Sequence, residues 1–134
     1  VNWVDPVGLA SCYYSISSGS LFCIGDNGEM FEGTGFVSGR GPSQNDINST
    51  WISNQGPIPP GTYYIGDQIP DSSRRPLYPH PSNEMFGRSR FQTHACPDVN
   101  TCSRGCIAGP VDQTAGFNAF IEDENSVSTI EVIP

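Results

Sequence analysis

Hydrophobic and polar positions alternate over short runs separated by turn-forming clusters, a pattern of strands rather than long helices. Cys12-Tyr13-Tyr14-Ser15-Ile16 and Leu21-Phe22-Cys23-Ile24 flank Ser17–Ser20 and predict a hairpin. Asp26-Asn27-Gly28-Glu29 is a second turn signal, and Met30-Phe31-Glu32-Gly33 reads as the next strand. Residues 38–57 are rich in Gly, Ser, Asn, Gln and Pro and read as a long loop, with Trp51-Ile52 expected to pin it to the body. Gly56-Pro57-Ile58-Pro59-Pro60-Gly61 is a rigid turn entering a strand at Thr62-Tyr63-Tyr64-Ile65. Residues 66–87 contain four prolines and read as irregular, whereas residues 88–94 alternate like a strand. Residues 96–106 read as a loop, 112–122 as the one plausible helix, and Val127–Ile133 as the last strand. Tyr63, Tyr64, Phe91, Phe117 and Phe120 are the expected core aromatics. The predicted fold is mainly β: a single compact domain with one short helix and long loops.

Composition narrows the function classes. The chain has 134 residues, enough for one core. Its formal net charge is −8, and its six basic residues are all Arg. Nucleic acid is a poor partner for such a chain, because phosphate binding needs a basic footprint. No apolar run approaches the roughly 18 residues of a membrane span, so membrane insertion is not expected, and no signal peptide opens the chain. No phosphate-loop motif and no cofactor signature are present. Carboxylates such as Asp67, Asp71 and Asp98 show no spacing suited to a glycosidase pair. Asp112, Glu122, Asp123 and Glu124 read as a solvated face.

The five cysteines, Cys12, Cys23, Cys96, Cys102 and Cys106, suggest two disulfides and one thiol. The natural local pairings are Cys12–Cys23 and Cys96–Cys102, although spacing alone leaves other connectivities open. No spacing matches a standard zinc site, so no metal is expected. Two bridges imply an oxidising compartment.

The remaining thiol sits in Ser103-Arg104-Gly105-Cys106-Ile107, with His94 twelve residues upstream. A base or positive group that lowers a thiol's pKa makes it a nucleophile. His94 ends a predicted strand, and eleven intervening residues allow the two side chains to meet. Gly105 leaves room for substrate, and backbone N–H groups at Gly105 and Cys106 are candidate oxyanion donors. Ser103 would orient the turn. Arg88 and Arg90 alternate on the predicted strand and so share a face, where they would either bind substrate carboxylates or simply balance a very acidic surface. His80, between two prolines, reads as a solvent-exposed loop residue.

Two resemblances sharpen this picture. The pattern of His94 followed by Ser103-x-Gly105-Cys106 resembles the signature of the L,D-transpeptidase catalytic domain. Together with Gly56–Ile65 and Arg90-Phe91-Gln92-Thr93-His94, it resembles the type VI secretion L,D-transpeptidase effector family over roughly residues 20–133. Asn2-x-x-Asp5-Pro6-x-Gly8-Leu9 resembles the end of an Rhs-repeat core, where self-cleavage follows the Leu. The expected division is residues 1–9 as the core tail, with the junction after Leu9, and residues 10–134 as the toxin domain. There are departures: Arg104 stands where the general motif has a second His, and Ala108 where it has Asn or Arg. Arg stays protonated and cannot relay a proton, but it can hold a carboxylate.

The resemblance implies a secreted antibacterial toxin acting in the periplasm of a target cell. Cys106 would be its nucleophile, His94 its base, Ser103 and Gly105 parts of the catalytic motif, and Arg104 a substrate ligand. The bond cut would join a diamino acid to D-Ala in peptidoglycan stem peptides, with D-amino-acid exchange through an acyl-enzyme. A cognate immunity protein and the Rhs core with its secretion apparatus are the implied protein partners. From another class, a non-catalytic, disulfide-stapled cell-wall binding module is the alternative; it would carry an unreactive Cys106.

Overall fold

The computed structural model describes residues 10–26, 28–98, 102–122 and 128–134. The junction motif at residues 1–9 lies outside them, as do Val127, Asp123 and Glu124. Among the described residues nine strands form one sheet: β1 (Ser11–Ser15), β2 (Leu21–Ile24), β3 (Met30–Gly33), β4 (Val37–Ser38), β5 (Gly61–Ile65), β6 (Arg75–Pro79), β7 (Gln92–Ala95), β8 (Ile107–Gly109) and β9 (Ser128–Ile133). Their order is β3-β2-β1-β9-β5-β6-β7-β8-β4. The edge strands β3 and β4 are joined by only Thr34, Gly35 and Phe36. Four residue steps reach at most about 14 Å, whereas nine flat strands would span roughly 38 Å. The sheet therefore curls until its edges nearly meet.

Inside the curl, alternate residues bury Cys12, Tyr14, Tyr63, Ile65, Ile130 and Val132. The hairpin predicted at 12–24 is present, and Cys12 and Cys23 are facing residues on β1 and β2, joined by a disulfide. Cys96–Cys102 is the second bridge and Cys106 is free, as the local pairings predicted. Helix α1 (Val111–Glu122) buries Thr114, Phe117, Asn118 and Ile121, one face at helical spacing. Phe31 of β3 lies 6.1 Å from Phe117 and 6.2 Å from Phe120, which seats the helix. Among the described residues, no helix is long and apolar enough to cross a membrane.

Several expectations need correction. β6 lies within the stretch read as irregular. It tolerates Pro76 and Pro79 because it changes partner midway: Arg75 and Pro76 pair with β7, and Leu77–Pro79 pair with β5. Each half is thus close to an edge, where a missing N–H costs little. The strand expected at 88–94 starts only at Gln92, because Arg90 adopts φ +67°, in the left-handed region. β4 and β8, of two and three residues, are too short to show a period. Trp51 does not pin its loop: it is 62% exposed and donates Nε1–H to the Asn48 carbonyl. Tyr64 is not core but outward-facing, and His80 is half-buried, with Nδ1 2.8 Å from Ser82 Oγ.

Candidate active site

Cys106 enters the site from the turn preceding β8, and His94 from β7. These strands run parallel, with Thr93 opposite Ile107 and His94 opposite Ala108. Thr93 and Ile107 are fully buried on the inner face. Alternation therefore places Gln92, His94, Ala108 and Cys106 on the opposite face. His94 and Cys106 are diagonal neighbours across one strand spacing of about 4.8 Å with a two-residue offset, roughly 8 Å between Cα atoms. Side chains bridge such a gap.

The Cys106 turn is clamped by two buried serines. Ser103 Oγ donates to the Cys106 carbonyl at 2.6 Å and accepts from Gly105 N–H at 3.1 Å and Gly39 N–H at 3.0 Å. Ser38 Oγ donates to the Gly105 carbonyl at 2.9 Å and accepts from Ile58 N–H at 2.8 Å. Gly105 N–H is therefore spent within the turn and is no oxyanion donor. In this geometry Ser103 and Gly105 hold the Cys106 turn in place. Ser38 was missed in the sequence because its partner lies 67 residues away.

Arg88 is also reassigned. It is buried, and its guanidinium donates to the carbonyls of Thr50, Gly56 (2.9 Å) and Pro57 (2.7 Å) while stacking 5.0 Å from the Phe91 ring centre. Three of its five N–H donors are committed to the 50–57 loop, so its main role is to support the floor of the site rather than to take a substrate carboxylate. Arg88→Ala would leave three carbonyls without these donors and is expected to cost about 2–3 kcal/mol by urea denaturation. Lys in its place would recover only part, since an ammonium lacks the fork that reaches all three.

Arg90 and Arg104 are exposed and, with Ser53, Asn54 and Cys106, line a cavity of about 340 Å³. No Asp or Glu lines it among the described residues. In a chain of net charge −8 this pocket is locally cationic and would draw in anionic ligands. His94 is not in its wall; register, not a shared cavity, relates it to Cys106. A larger cavity, about 1060 Å³, lies over β5 and β6, and Cys106 is not in its wall.

Electrostatics corrects one more expectation. Burial pushes the Cys106 thiol up, outweighing the Gln92 backbone hydrogen bond and the positive charges of Arg74 and Arg88, which pull it down. Burial pushes His94 down, a Coulombic contribution from Arg74 adds to this, and the hydrogen bond to the Ala95 backbone opposes it. The resting pair is thus neutral thiol and neutral imidazole, not the acid-shifted thiol expected from sequence. His94 Nδ1 lies 3.1 Å from the Ala95 carbonyl, which can only accept. Nδ1 therefore carries the proton, and Nε2 is left with a basic lone pair.

A base with a lowered pKa is lost only when pH falls through that lowered value. Any Cys106-dependent turnover is therefore expected to hold through neutral pH and to fall with an acid midpoint below 6.5. Iodoacetamide should label the resting thiol slowly at pH 7, faster only well into alkali, so slow labelling by itself does not mark a non-catalytic module and turnover is what separates the two readings. A pH–rate profile together with a labelling series measures both; rapid labelling near pH 6 would contradict the neutral pair.

A family model of the Tlde1 domain matches residues 33–133. The fold is similar to that of Mycobacterium tuberculosis L,D-transpeptidase 1, with a TM-score of 0.50 and 17% identity over 94% of this chain. The chain spans 62% of the length of that protein's chain. No curated protein matches the sequence at a significant level.

Proposed function

Because this chain belongs to the Tlde1 domain family of type VI effectors and has an L,D-transpeptidase-like fold, we propose that it is an antibacterial toxin acting on peptidoglycan as a cysteine L,D-carboxypeptidase and transpeptidase. The observation that carries this reading is the β7–β8 register, which brings His94 and Cys106 to the same face of adjacent parallel strands, with Cys106 in the wall of an arginine-lined pocket.

The thiol proton passes to His94 Nε2 as Sγ attacks the carbonyl carbon of the diamino acid at stem position three. The bond to D-Ala breaks, and Nε2 returns the proton to the leaving amine. A thioester remains on Cys106. Water, deprotonated by Nε2, releases the tripeptide and restores the thiol. A D-amino acid in place of water gives exchange, and the amine of a second stem gives a cross-link. Arg90 and Arg104 hold substrate carboxylates. Gly105, Ser103 and Ser38 fix the turn that aims Sγ.

In this reading, residues 10–134 are the toxin domain and residues 1–9 the tail of an Rhs core cleaved after Leu9. Delivery ends in the periplasm of a rival cell, and an immunity protein protects the producer. The test is mass spectrometry of diaminopimelate-type disaccharide tetrapeptides incubated with the chain, with and without added D-Met. Conversion to tripeptide, or to a stem ending in D-Met, is expected; unchanged tetrapeptide with folded protein would overturn the reading.

A further inference from the structure

The cavity over β5 and β6 is about three times the volume of the one at Cys106, and nothing in the proposed chemistry uses it. Tyr64 and Tyr78 in its wall are facing residues on the two strands and are 40% and 57% exposed. Tyr78 is held in place: a Cβ at Gly66 would stand 2.9 Å from its Cε2 and 2.8 Å from Pro76 Cγ. The ring thus lies across a glycine and beside a proline, an aromatic surface open to solvent. The polar lining is Asp67, Gln68 and the Arg75–Glu122 ion pair, whose Glu122 side chain is 75% exposed and whose Arg75 is 4% exposed. The accessible polar groups are mostly acceptors with acidic character, which disfavours an anionic ligand. β5 is paired on both sides along Tyr63–Ile65, so a peptide cannot add a strand to it. Open aromatic faces beside hydroxyl acceptors suit a neutral carbohydrate, whose ring faces are apolar and whose edges donate hydrogen bonds.

Position supports the same ligand. Pro76 is opposite Gln92, and Gln92 precedes Thr93 just as Cys106 precedes its partner Ile107. Pro76, in the cavity wall, is therefore two strand spacings from Cys106, about 10 Å, and on the same sheet face, with Tyr78 two residues further along β6 at about 12 Å and Tyr64 one more strand away at about 16 Å. Three extended residues span about 10 Å, which is the length of stem peptide between the sugar and the proposed scissile bond.

We propose that the groove over Tyr64 and Tyr78 binds the glycan of peptidoglycan, a β-linked chain of N-acetylated amino sugars, while the attached stem peptide reaches Cys106. This rests on the peptidoglycan reading above. The probe is chitotetraose, an oligomer of N-acetylglucosamine, titrated into the full chain and followed by NMR. Saturable binding is expected, weakened about tenfold in Tyr64→Ala and in Tyr78→Ala at unchanged Tm. The kinetic counterpart compares disaccharide tetrapeptide with free tetrapeptide. Each Tyr variant should raise KM for the first about tenfold and leave the second unaltered. No saturable binding, binding indifferent to both tyrosines, or equal loss on both substrates would overturn the groove. Tyr-dependent chitotetraose binding with neither substrate cleaved would uphold the groove and overturn the L,D-activity. Cleavage of both substrates without any effect of the tyrosines would do the reverse.

Discussion

Cys106→Ala is expected to lower kcat/KM on stem tetrapeptides by at least about a thousandfold, because Cys106 is the one thiol among the described residues lining the arginine pocket, and the Ser53 and Ser89 hydroxyls there are far weaker nucleophiles. Free cysteine carries the attack in the proposed route, and alanine leaves only binding and desolvation. Cys106→Ser should be nearly as inactive, since an alkoxide is far harder to form with a single neutral imidazole. The fold should survive. Cys106 is in no disulfide and only partly buried, so loss of its sulfur should shift unfolding by about 1 kcal/mol or less. Mass spectrometry of the muropeptides beside a thermal melt separates the two effects. Full turnover by a folded Cys106→Ala would remove the nucleophile from the mechanism. Periplasm-directed expression in a sensitive bacterium should show the same contrast as growth.

Gly105→Ala is expected to damage both stability and turnover. Gly105 sits at φ +135°, a region L side chains rarely adopt. A Cβ there would overlap Arg88 Nη2 and stand 3.1 Å from Phe91 Cε1 and 3.2 Å from the Gly56 carbonyl. Those neighbours cannot all retreat, because Arg88 is fastened to three carbonyls and to the Phe91 ring. Backbone strain and overpacking together should cost about 2–4 kcal/mol. For a domain of this size, that is a fall in Tm of roughly 10 °C. Turnover should drop at least about a hundredfold, because the shift moves Sγ from the line His94 serves. Calorimetry and kinetics on the purified variant check both. A Tm within about 2 °C of the parent would mean the turn relaxes more freely than its hydrogen bonds imply.

These two positions also show where sequence reading reached. The motif Ser103-x-Gly105-Cys106 and the upstream His94 were legible because they are local or strand-terminal. The hairpin with Cys12 and Cys23, the strand at Tyr63 and the face of α1 were legible for the same reason: periodicity and turn chemistry act over neighbouring residues. The Cys96–Cys102 bridge closes a short local loop and was equally readable.

What the sequence left open depended on contacts between distant segments. Arg88 looked like a substrate ligand from its spacing, yet its donors meet carbonyls 31 to 38 residues away. Ser38 could be tied to Gly105 only once β4 lay beside β8. The prolines of β6 argued locally against a strand, and only the change of partner between β5 and β7 admits them. Burial, a property of the assembled fold, reversed the expected shift of the Cys106 thiol, because in this pocket desolvation outweighs the nearby positive charges. Residue types, turn chemistry and short-range periodicity thus determined which groups are available for chemistry. The curled sheet decided which of them share a face, which are spent on the scaffold, and in which protonation state the nucleophile rests.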